Sequence, residues 1–349
     1  MRFQDDKPDN FQLFKSAFRN RNIERLYFFY GEETFLMTHY IEQLKKALLD
    51  ELTESFNFHK LNSENFSVYS FAEAVENLPM MAEHSFVLVD DIDIFKLPDA
   101  DRQKLIEVFS DIPAYCTVVF SYLTVEWNPD KRIKKLYECV EKHGMAVEFY
   151  KQSQRDLISW ITRHFAAKDK KISQELCAYL ISITDGTMTS LSGEISKIAA
   201  FSGADTITKS DIDAVTEPVL DAIVFDMTDL LVENKYGAAL DKLQTLFKMQ
   251  EEPIAILNAI STHFRRIGVA RTLLDSGKSY SEFMRLYGNL KEGFSKRMMR
   301  TAGNYSGKFC AAATKIILQT DIQMKTSFDN PQRLLELLLL QLAQEAKNA

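Results

Sequence analysis

Two kinds of hydrophobic pattern alternate along residues 1–150. Short apolar runs predict strands, and several are apolar at consecutive positions, as in strands covered on both faces. These runs are LYFFY (26–30), FNFHKL (56–61), FVLVDD (86–91), CTVVFSY (116–122) and MAVEFY (145–150). Segments with helical spacing lie between them, near 34–50, 69–77, 99–110 and 130–143. The alternation predicts a doubly wound parallel sheet that binds its ligands beyond the carboxyl ends of the strands.

One helix start within this domain carries a local signal. Asn128-Pro129-Asp130 supplies capping side chains and a proline suited to a first helical turn. We therefore expect the helix near 130–143 to begin at this tripeptide.

After Tyr150 only helical spacing remains. Residues 151–215 predict three short helices, which Asp185-Gly186 and Ser202-Gly203 separate. Their apolar faces consist of Leu157, Ile161 and Phe165, of Leu176, Leu180 and Ile183, and of Leu191, Ile195 and Ile198. The segment from residue 216 onward is also helical. The sequence thus predicts an α/β domain (1–150) followed by two all-α domains (151–215 and 216–349).

The last predicted helix is unusually apolar. It starts at Asp329-Asn330-Pro331, and the sequence RLLELLLLQLA that follows is hydrophobic nearly all round. Such a helix needs cover from its own domain or from another subunit.

Composition limits the cellular compartments in which the protein could function, but it does not indicate a reaction. No apolar run reaches the ~20 residues that span a bilayer, and the acidic start MRFQDDKPDN does not resemble a signal peptide. The four cysteines are far apart, which excludes a zinc ribbon and a disulfide framework. We expect a cytoplasmic protein.

Charge is unevenly distributed along the chain. The net charge is −7, yet residues 263–315 hold 11 basic and 3 acidic side chains. The excess indicates either contact with a polyanion or a solvated basic helix face.

The first strand leads into a candidate phosphate site. Gly31 follows LYFFY and precedes a helical segment, which is the order that directs backbone N–H groups at a phosphate. The P-loop pattern is nevertheless degenerate, since Leu36 replaces the second glycine and Met37 the lysine, and only Thr38 fits. Phe35 and Leu36 add bulk, and Glu32 and Glu33 add negative charge. We expect no nucleotide or other cofactor to bind here.

FVLVDD resembles the Walker B strand of a nucleotide hydrolase, with Asp90 at the metal position and Asp91 at the position of the catalytic glutamate. Without the lysine and the loop, these two acids are better interpreted as strand-end residues that cap the next element. The six histidines lack metal-ligand spacing, and no G-x-S-x-G occurs. We predict no catalytic residues and no metal site. The alternative is a diverged AAA+ ATPase that uses a displaced lysine such as Lys45 or Lys46.

Four segments in the same order resemble one protein family. LYFFYGEETFLMTHYIEQL resembles a Y-x-x-Y-G-E-E-x-F-L opening, and VFSYLTVEWNPDKRIKKLYECVEKHGMAVEF resembles a segment in which D-x-R-x-K-L-Y-K precedes V-x-F. GTMTSLSGEISKIAAFSG and TDIQMKTSFDNPQRLLELLLLQL resemble the G-x-L-x-x-L-x-x-E-I-x-K-L helix and the D-x-x-x-K-(T/S)-G-x-x-x-P-x-x-x-L-E-x-L-L-x-x-L ending. The chain is similar to the delta-subunit family of the bacterial DNA polymerase III clamp loader. It departs from the pattern at Ser327-Phe328, where the family usually has a glycine.

Sister subunits of that assembly fit less well. The motor subunit has an intact P-loop, and both the motor and delta-prime subunits have a Ser-Arg-Cys motif and a four-cysteine zinc module; this sequence contains none of these.

The resemblance implies a function without chemistry. A delta subunit opens the ring-shaped sliding clamp during DNA replication, by inserting a hydrophobic tip into a pocket near the interface between clamp subunits. Alignment to the third strand puts the tip at Leu78, Pro79, Met80 and Met81. The resemblance also implies an AAA+-like first domain at 1–150 and a three-helix lid at 151–215. It further implies motor (gamma/tau) and delta-prime partners held by a collar at 216–349, with Asp321, Lys325 and the helix 334–342 in that packing. The holoenzyme as a whole is a DNA-directed DNA polymerase.

The tip has a second interpretation from its residues alone. Four consecutive apolar residues in a short loop indicate a partner if they are exposed, but without the resemblance the favoured interpretation is that they cover the sheet beneath them. The basic segment is also open to two interpretations: Arg265, Arg266, Lys296, Arg297 and Arg300 are candidates for contact with primed DNA or with neighbouring subunits. A helical scaffold unrelated to replication remains an alternative for the whole chain.

Overall fold

The computed structural model describes residues 10–287 and 292–348, so most of the acidic start lies outside the described residues. The chain divides after Lys151 into two compact units. The strands of the first unit are β1 Leu26–Tyr30, β2 Phe58–Leu61, β3 Ser85–Asp90, β4 Cys116–Tyr122 and β5 Met145–Glu148. Its helices are α1 Asn10–Arg19, α2 Thr34–Leu48, α3 Glu54–Asn57, α4 Val68–Glu76, α5 Asp99–Ser110 and α6 Lys134–His143.

The five strands form one sheet in the order β2-β3-β4-β1-β5, and all neighbouring strands are parallel. β1 lies between β4 and β5, with Phe28 opposite Phe120 and Ala146. This arrangement explains the continuous apolar sequence of the central strands, because helices cover both faces of the sheet.

Successive residues of β1 divide the core of the first unit into two layers. Tyr27 and Phe29 face a cluster that includes α1 and α2, whereas Leu26 and Phe28 face a cluster that includes α4, α5 and α6. Side chains alternate across a strand, so one buried strand anchors both layers. Aromatic rings fill much of this interior, and Phe28 stacks on Phe120 and on Trp127.

The structure corrects one predicted helix start. α6 begins at Lys134 and not at Asn128-Pro129-Asp130. The Asp130 carboxylate accepts the backbone N–H of Arg132 at 2.9 Å and pairs with its guanidinium at 2.8 Å. Asp130 therefore closes a turn ahead of the helix, and Pro129 lies outside the first helical turn.

The structure also contains two helices of this unit that the sequence did not predict, α1 and α3. Phe56 and Asn57 were predicted to lie in the strand 56–61 but belong to α3, and β2 begins at Phe58.

The second unit is dominated by helices. They are α7 Gln154–Ala166, α8 Gln174–Ile183, α9 Met188–Phe201, α10 Lys209–Val215, α11 Leu220–Val232, α12 Tyr236–Lys248, α13 Pro253–Asp275, α14 Tyr280–Tyr287, α15 Glu292–Gly303, α16 Gly307–Thr326 and α17 Pro331–Asn348. The short helix α10 is additional to the three expected between residues 151 and 215. The predicted boundary between residues 215 and 216 falls inside this compact unit and stays a prediction.

Side-chain caps explain where the first helices of this unit begin. The hydroxyls of Ser153, Ser173 and Thr187 each accept a backbone N–H from the first turn of α7, α8 and α9. Each cap satisfies a donor that the helix itself leaves without a partner.

α17 begins at Pro331, as the tripeptide Asp329-Asn330-Pro331 predicted. Its own unit covers one side of the helix, where Leu335, Leu338 and Leu342 are fully buried or nearly so. Leu337 and Leu340 are exposed on its other side. The predicted fold class is confirmed: an α/β domain with a parallel, doubly wound sheet precedes an all-α region.

Candidate functional site

The loop after α4 is the candidate partner-binding site, and we define the tip loop as residues 78–81. α4 begins with a reciprocal capping box between Ser67 and Ser70 and ends at Glu76, with Asn77 as its C-cap residue. Pro79 follows two residues later, and the residue before a proline is disfavoured in helical conformation. The helix therefore stops, and the chain turns before entering β3.

Apolar side chains of the tip loop face solvent. Leu78 is 76% exposed, Met80 56% and Met81 92%, while Pro79 is half-buried. The hypothesis that these residues cover the sheet is therefore wrong for Leu78, Met80 and Met81. Exposed apolar side chains gathered in one short loop are typical of an interaction site.

A buried asparagine, Asn57, forms hydrogen bonds to the backbone of the tip loop. Asn57, which is 1% exposed, donates from Nδ2 to the carbonyl of Met80 at 2.9 Å and accepts the Met80 N–H on Oδ1 at 2.7 Å. It also donates to the carbonyl of Thr53 at 2.9 Å. Met81 then takes a left-handed backbone conformation, with φ of 53°. Sequence reasoning missed Asn57; a polar residue between two phenylalanines in the run FNFHKL was the available signal.

Two more exposed apolar side chains lie on the turn that carries Asn57. Phe56 precedes Asn57 directly and is 58% exposed, and Leu52 precedes Thr53 and is 90% exposed. The apolar surface of this region is therefore not confined to residues 78–81.

The turn between β1 and α2, by contrast, is closed by protein atoms. Gly31 has φ of +126°, and a Cβ placed on it would lie 2.3 Å from the carbonyl oxygen of Phe149. The N–H of Glu33 donates to that carbonyl at 2.9 Å. One backbone donor that a phosphate-binding turn would present is thus already satisfied by the chain.

The residue at the position of the missing lysine lies in the core. Met37 is fully buried on the sheet side of α2, whereas Thr38 is exposed. Lys45 and Lys46 lie in the last turn of α2, about 16 Å along the helix axis from its start at 1.5 Å per residue. Lys45 pairs there with Glu42 and Glu54. Neither lysine therefore lies near Gly31.

Carboxylates occupy the surroundings of this turn. Glu33 is 8% exposed, and burial raises the pKa of its carboxyl; the backbone N–H of Phe35 and the ammonium of Lys151 oppose that rise only in part. Glu32 pairs with Lys151 at 3.1 Å. The electrostatic environment is therefore not one that favours a polyphosphate.

The two acids at the end of β3, Asp90 and Asp91, bind other parts of the same unit. Asp90 accepts the hydroxyl of Ser121 and pairs with Lys60 at 2.9 Å. Asp91 accepts the backbone N–H groups of Leu123 and Thr124, both at 2.8 Å, and that of Val125 at 3.1 Å. Burial alone would raise the pKa of Asp91, but these hydrogen bonds outweigh it and lower the pKa. Asp91 caps the turn after β4, the neighbouring strand, and not the element that follows it in the chain.

The basic candidates of the second unit have unlike environments. Arg265 on α13 and Lys296 and Arg300 on α15 are exposed. The guanidinium of Arg266 lies 5.6 Å from the centre of the Phe294 ring. Arg297 is half-buried and pairs with Asp226 and Asp229 at 2.9 and 2.8 Å, over the ring of Phe225. Arg297 is thus engaged inside its own unit.

The collar candidates Asp321 and Lys325 pair with each other at 2.8 Å along α16. Leu318 and Ile322 on the same helix are exposed, as are Leu337 and Leu340 on α17.

Residues suited to metal binding are not gathered in the described part of the chain. No group of three or more His, Cys, Asp or Glu residues within 10–287 and 292–348 could hold a metal ion. All four cysteines are free thiols. Within the same residues, no helix has the length and apolar character to cross a membrane.

Comparisons with known proteins agree along the chain. A family model described as DNA polymerase III, delta subunit matches residues 27–149, and one described as the C-terminal domain of that subunit matches residues 221–342. The DNA polymerase III subunit delta of Bacillus subtilis is 26% identical over 343 residues, which are 95% of this chain and 96% of the relative. The probable DNA polymerase III subunit delta of Aquifex aeolicus is 21% identical over 296 residues, 83% of each chain.

One solved structure has the same fold along nearly the whole chain. The Bacillus subtilis DNA clamp loader delta protein superposes with a TM-score of 0.63 at 22% identity, covering 96% of this chain and 99% of that one.

Proposed function

Because the chain belongs to the DNA polymerase III delta subunit family, a component of the clamp loader in DNA replication, we propose that its tip loop binds and opens the sliding clamp. The single observation that carries the proposal is the exposure of Leu78, Met80 and Met81 in a loop that the protein itself holds in place. In this proposal the chain acts through binding, without chemistry of its own.

The energy for opening comes from burial of apolar surface. Fully burying one methionine side chain contributes about 1.5–3 kcal/mol, so two or three anchors supply a hot spot. Methionine is unbranched and polarisable, which suits it to an irregular pocket. The half-buried Pro79 stiffens the loop between its exposed neighbours.

Binding opens the ring only through a difference in affinity. A ligand with equal affinity for the open and closed clamp shifts nothing, whereas a shift from 1:99 to 99:1 needs about 10⁴-fold tighter binding to the open form. The tip loop must therefore fit a pocket whose shape depends on the state of the clamp interface.

The turn at Gly31 supports the absence of nucleotide hydrolysis. The carbonyl of Phe149 satisfies the Glu33 N–H, Met37 is buried, and the nearest lysines along α2 lie at its far end. ATP used during clamp loading is then bound by partner subunits, which we propose to be the motor (gamma/tau) subunits, with delta-prime completing the assembly.

Calorimetric titration of the chain with ATP and magnesium tests this part of the proposal. We expect no saturable heat up to millimolar nucleotide. Micromolar affinity would favour the alternative, a diverged AAA+ ATPase.

The second unit supports assembly. We propose that the exposed side chains Leu318, Ile322, Leu337 and Leu340 meet neighbouring subunits in a collar, as expected for residues 216–349. Arg265, Lys296 and Arg300 are candidate contacts to phosphates of primed DNA, a role that needs charge but no base recognition. The loader acts in the cytoplasm of a bacterial cell.

Binding to the sliding clamp of the same bacterium, immobilised on a sensor surface, tests the proposal directly. The parent chain should bind saturably, and the combined Met80→Ala and Met81→Ala variant should lose about 30- to 1000-fold in affinity, which corresponds to about 2–4 kcal/mol. Phe201→Ala is the control, since Phe201 is 57% exposed but lies on α9 of the second unit. Equal binding by the double variant and the parent would refute the assignment of the tip, and a parent chain that does not bind would refute the function.

A further inference from the structure

Asn57 occupies an unusual position for a polar side chain. It is the last residue of α3, it is 1% exposed, and β2 begins at the next residue. A buried amide needs partners for its donors and its acceptor, because leaving them unpaired is costly. Asn57 finds those partners at Thr53 in its own turn and at Met80 in the tip loop, 23 residues away.

The two bonds to Met80 form a closed pair. Oδ1 accepts the Met80 N–H at 2.7 Å, and Nδ2 donates to the carbonyl of the same residue at 2.9 Å. A bidentate contact fixes both position and orientation of the backbone between Pro79 and Met81. It therefore sets the direction in which the Met80 and Met81 side chains leave the loop.

Asn57 itself is joined directly to the sheet, because β2 begins at the next residue. β2 pairs with β3 along its length, from Phe58 opposite Phe86 to Leu61 opposite Val89. Lys45 of α2 pairs with Glu54 at 3.2 Å, which ties the turn carrying Asn57 to a second helix. Asn57 thus connects the exposed tip loop to β2, which follows Asn57 in the chain, and through Glu54 of the same turn to α2.

We propose that Asn57 is a positioning residue for clamp binding, an inference that rests on the function proposed for the tip loop. It holds residues 78–81 in the conformation that binds, so the clamp does not have to order the loop. A loop that adopts the binding conformation for only a fraction of the time binds more weakly by that fraction. Preorganisation of this kind raises affinity without any contact between Asn57 and the partner.

Asn57→Leu tests the proposal, because leucine is similar in size and removes both hydrogen bonds to Met80. We expect clamp affinity to fall about tenfold, as if the binding conformation were populated about one tenth of the time. The amide hydrogen of Met80 should exchange with solvent about tenfold faster or more, since its acceptor is gone. Ser67→Ala is the matched control: it removes the N-terminal cap of α4 in the same unit and leaves the bonds between Asn57 and Met80 in place.

A double-mutant cycle tests whether Asn57 acts through the population of the binding conformation. Met81→Ala should cost the same affinity with and without Asn57→Leu, because a loop that adopts the binding conformation less often still presents Met81 in the same way once it is bound. Losses that do not add, unchanged exchange at Met80, or an equal loss of affinity in Ser67→Ala would overturn the role of Asn57 while leaving the function of the tip loop intact. If Met81→Ala leaves the affinity of the parent unchanged, the function of the tip loop fails, and the positioning role of Asn57 fails with it.

Discussion

Two loops of the first unit, the turn at Gly31 and the tip loop, use apolar side chains in opposite ways. The turn at Gly31 lies between the strand and the helix that would normally surround a phosphate. Met37 is nevertheless buried in the core, and the carbonyl of Phe149 accepts the N–H of Glu33. The tip loop ends a helix on the other layer of the sheet, and its methionines face solvent. The turn at Gly31 is where such a fold usually binds its ligand, but protein atoms fill it. The tip loop only connects a helix to a strand, yet its apolar side chains are exposed to solvent.

The difference teaches that a fold and its usual site can separate. The sheet, the glycine turn and α2 remain because they build the core, where Tyr27, Phe29 and Met37 share one cluster. In our proposal, binding uses the tip loop instead, where Leu78, Met80 and Met81 are exposed. Each region can be perturbed without disturbing the other, so the comparison can be tested.

The largest effect is expected at Gly31. Gly31→Val places a side chain where a Cβ would lie 2.3 Å from the Phe149 carbonyl, in a left-handed backbone conformation that β-branched residues avoid. Strain and overpacking together should lower the free energy of unfolding by about 3–5 kcal/mol, measured by urea denaturation.

Gly203→Val is the control for that substitution, because nothing lies within 4 Å of a Cβ at that position. Unfolding free energy there should change by less than about 1 kcal/mol. A Gly31 variant as stable as its parent would show that the turn has room for a ligand, and the contrast between a filled turn and an exposed tip loop would then be wrong.

The next effect comes from one chemical change made in both regions. Met37→Ala removes a fully buried side chain and should cost about 2–5 kcal/mol of stability, while Met81→Ala, at a position 92% exposed, should change stability by less than about 0.5 kcal/mol. Clamp affinity should respond in the reverse order, with a loss of about tenfold for Met81→Ala and little change for folded Met37→Ala.

Thermal unfolding and clamp titration of the same two samples provide both measurements. If Met37→Ala weakened clamp binding as much as Met81→Ala, the two regions would not be independent.

The smallest effect concerns the buried acid of the closed turn. Burial raises the pKa of Glu33 above its unfolded value, so the folded state binds more protons than the unfolded state between the two pKa values. The carboxyl therefore favours folding at low pH, and this contribution is lost as pH rises through the folded pKa.

Glu33→Gln keeps the shape of the side chain and removes the titration. Relative to the parent, we expect it to be more stable at pH 7 than at pH 4, measured by urea denaturation at both values. A variant whose stability relative to the parent is the same at both values would mean that Glu33 is solvated like a surface acid.

The local hydrophobic pattern was sufficient to predict those helices and strands whose structure depends mainly on their own residues. The bounds of β1, β4 and α5 agree with the predicted segments to the residue. These elements have unbroken apolar runs or clear helical spacing, and the sheet buries them as the pattern requires. The sequence also indicated that the Gly31 turn is a degenerate P-loop, because Met37 replaces the lysine and because Phe35 and Leu36 are bulky.

Long-range contacts were what the sequence could not supply. Asn57 was predicted to lie in a strand, because nothing in FNFHKL shows that its amide binds a loop 23 residues away. Asp130 was predicted to cap a helix, but its contact with Arg132 closes a turn instead. The assignment of Met80 and Met81 came from a family resemblance, and their exposure depends on which side chains the rest of the chain leaves uncovered.

Opening of the clamp by the chain alone tests the central claim most directly. A donor and an acceptor dye placed on either side of one clamp interface report opening as a loss of energy transfer, measured without nucleotide and without other loader subunits. We predict that the parent chain lowers the transfer in a saturable way and that the combined Met80→Ala and Met81→Ala variant does not at the same concentrations. Equal opening by that variant, or opening that appears only when the chain is given ATP, would contradict the account.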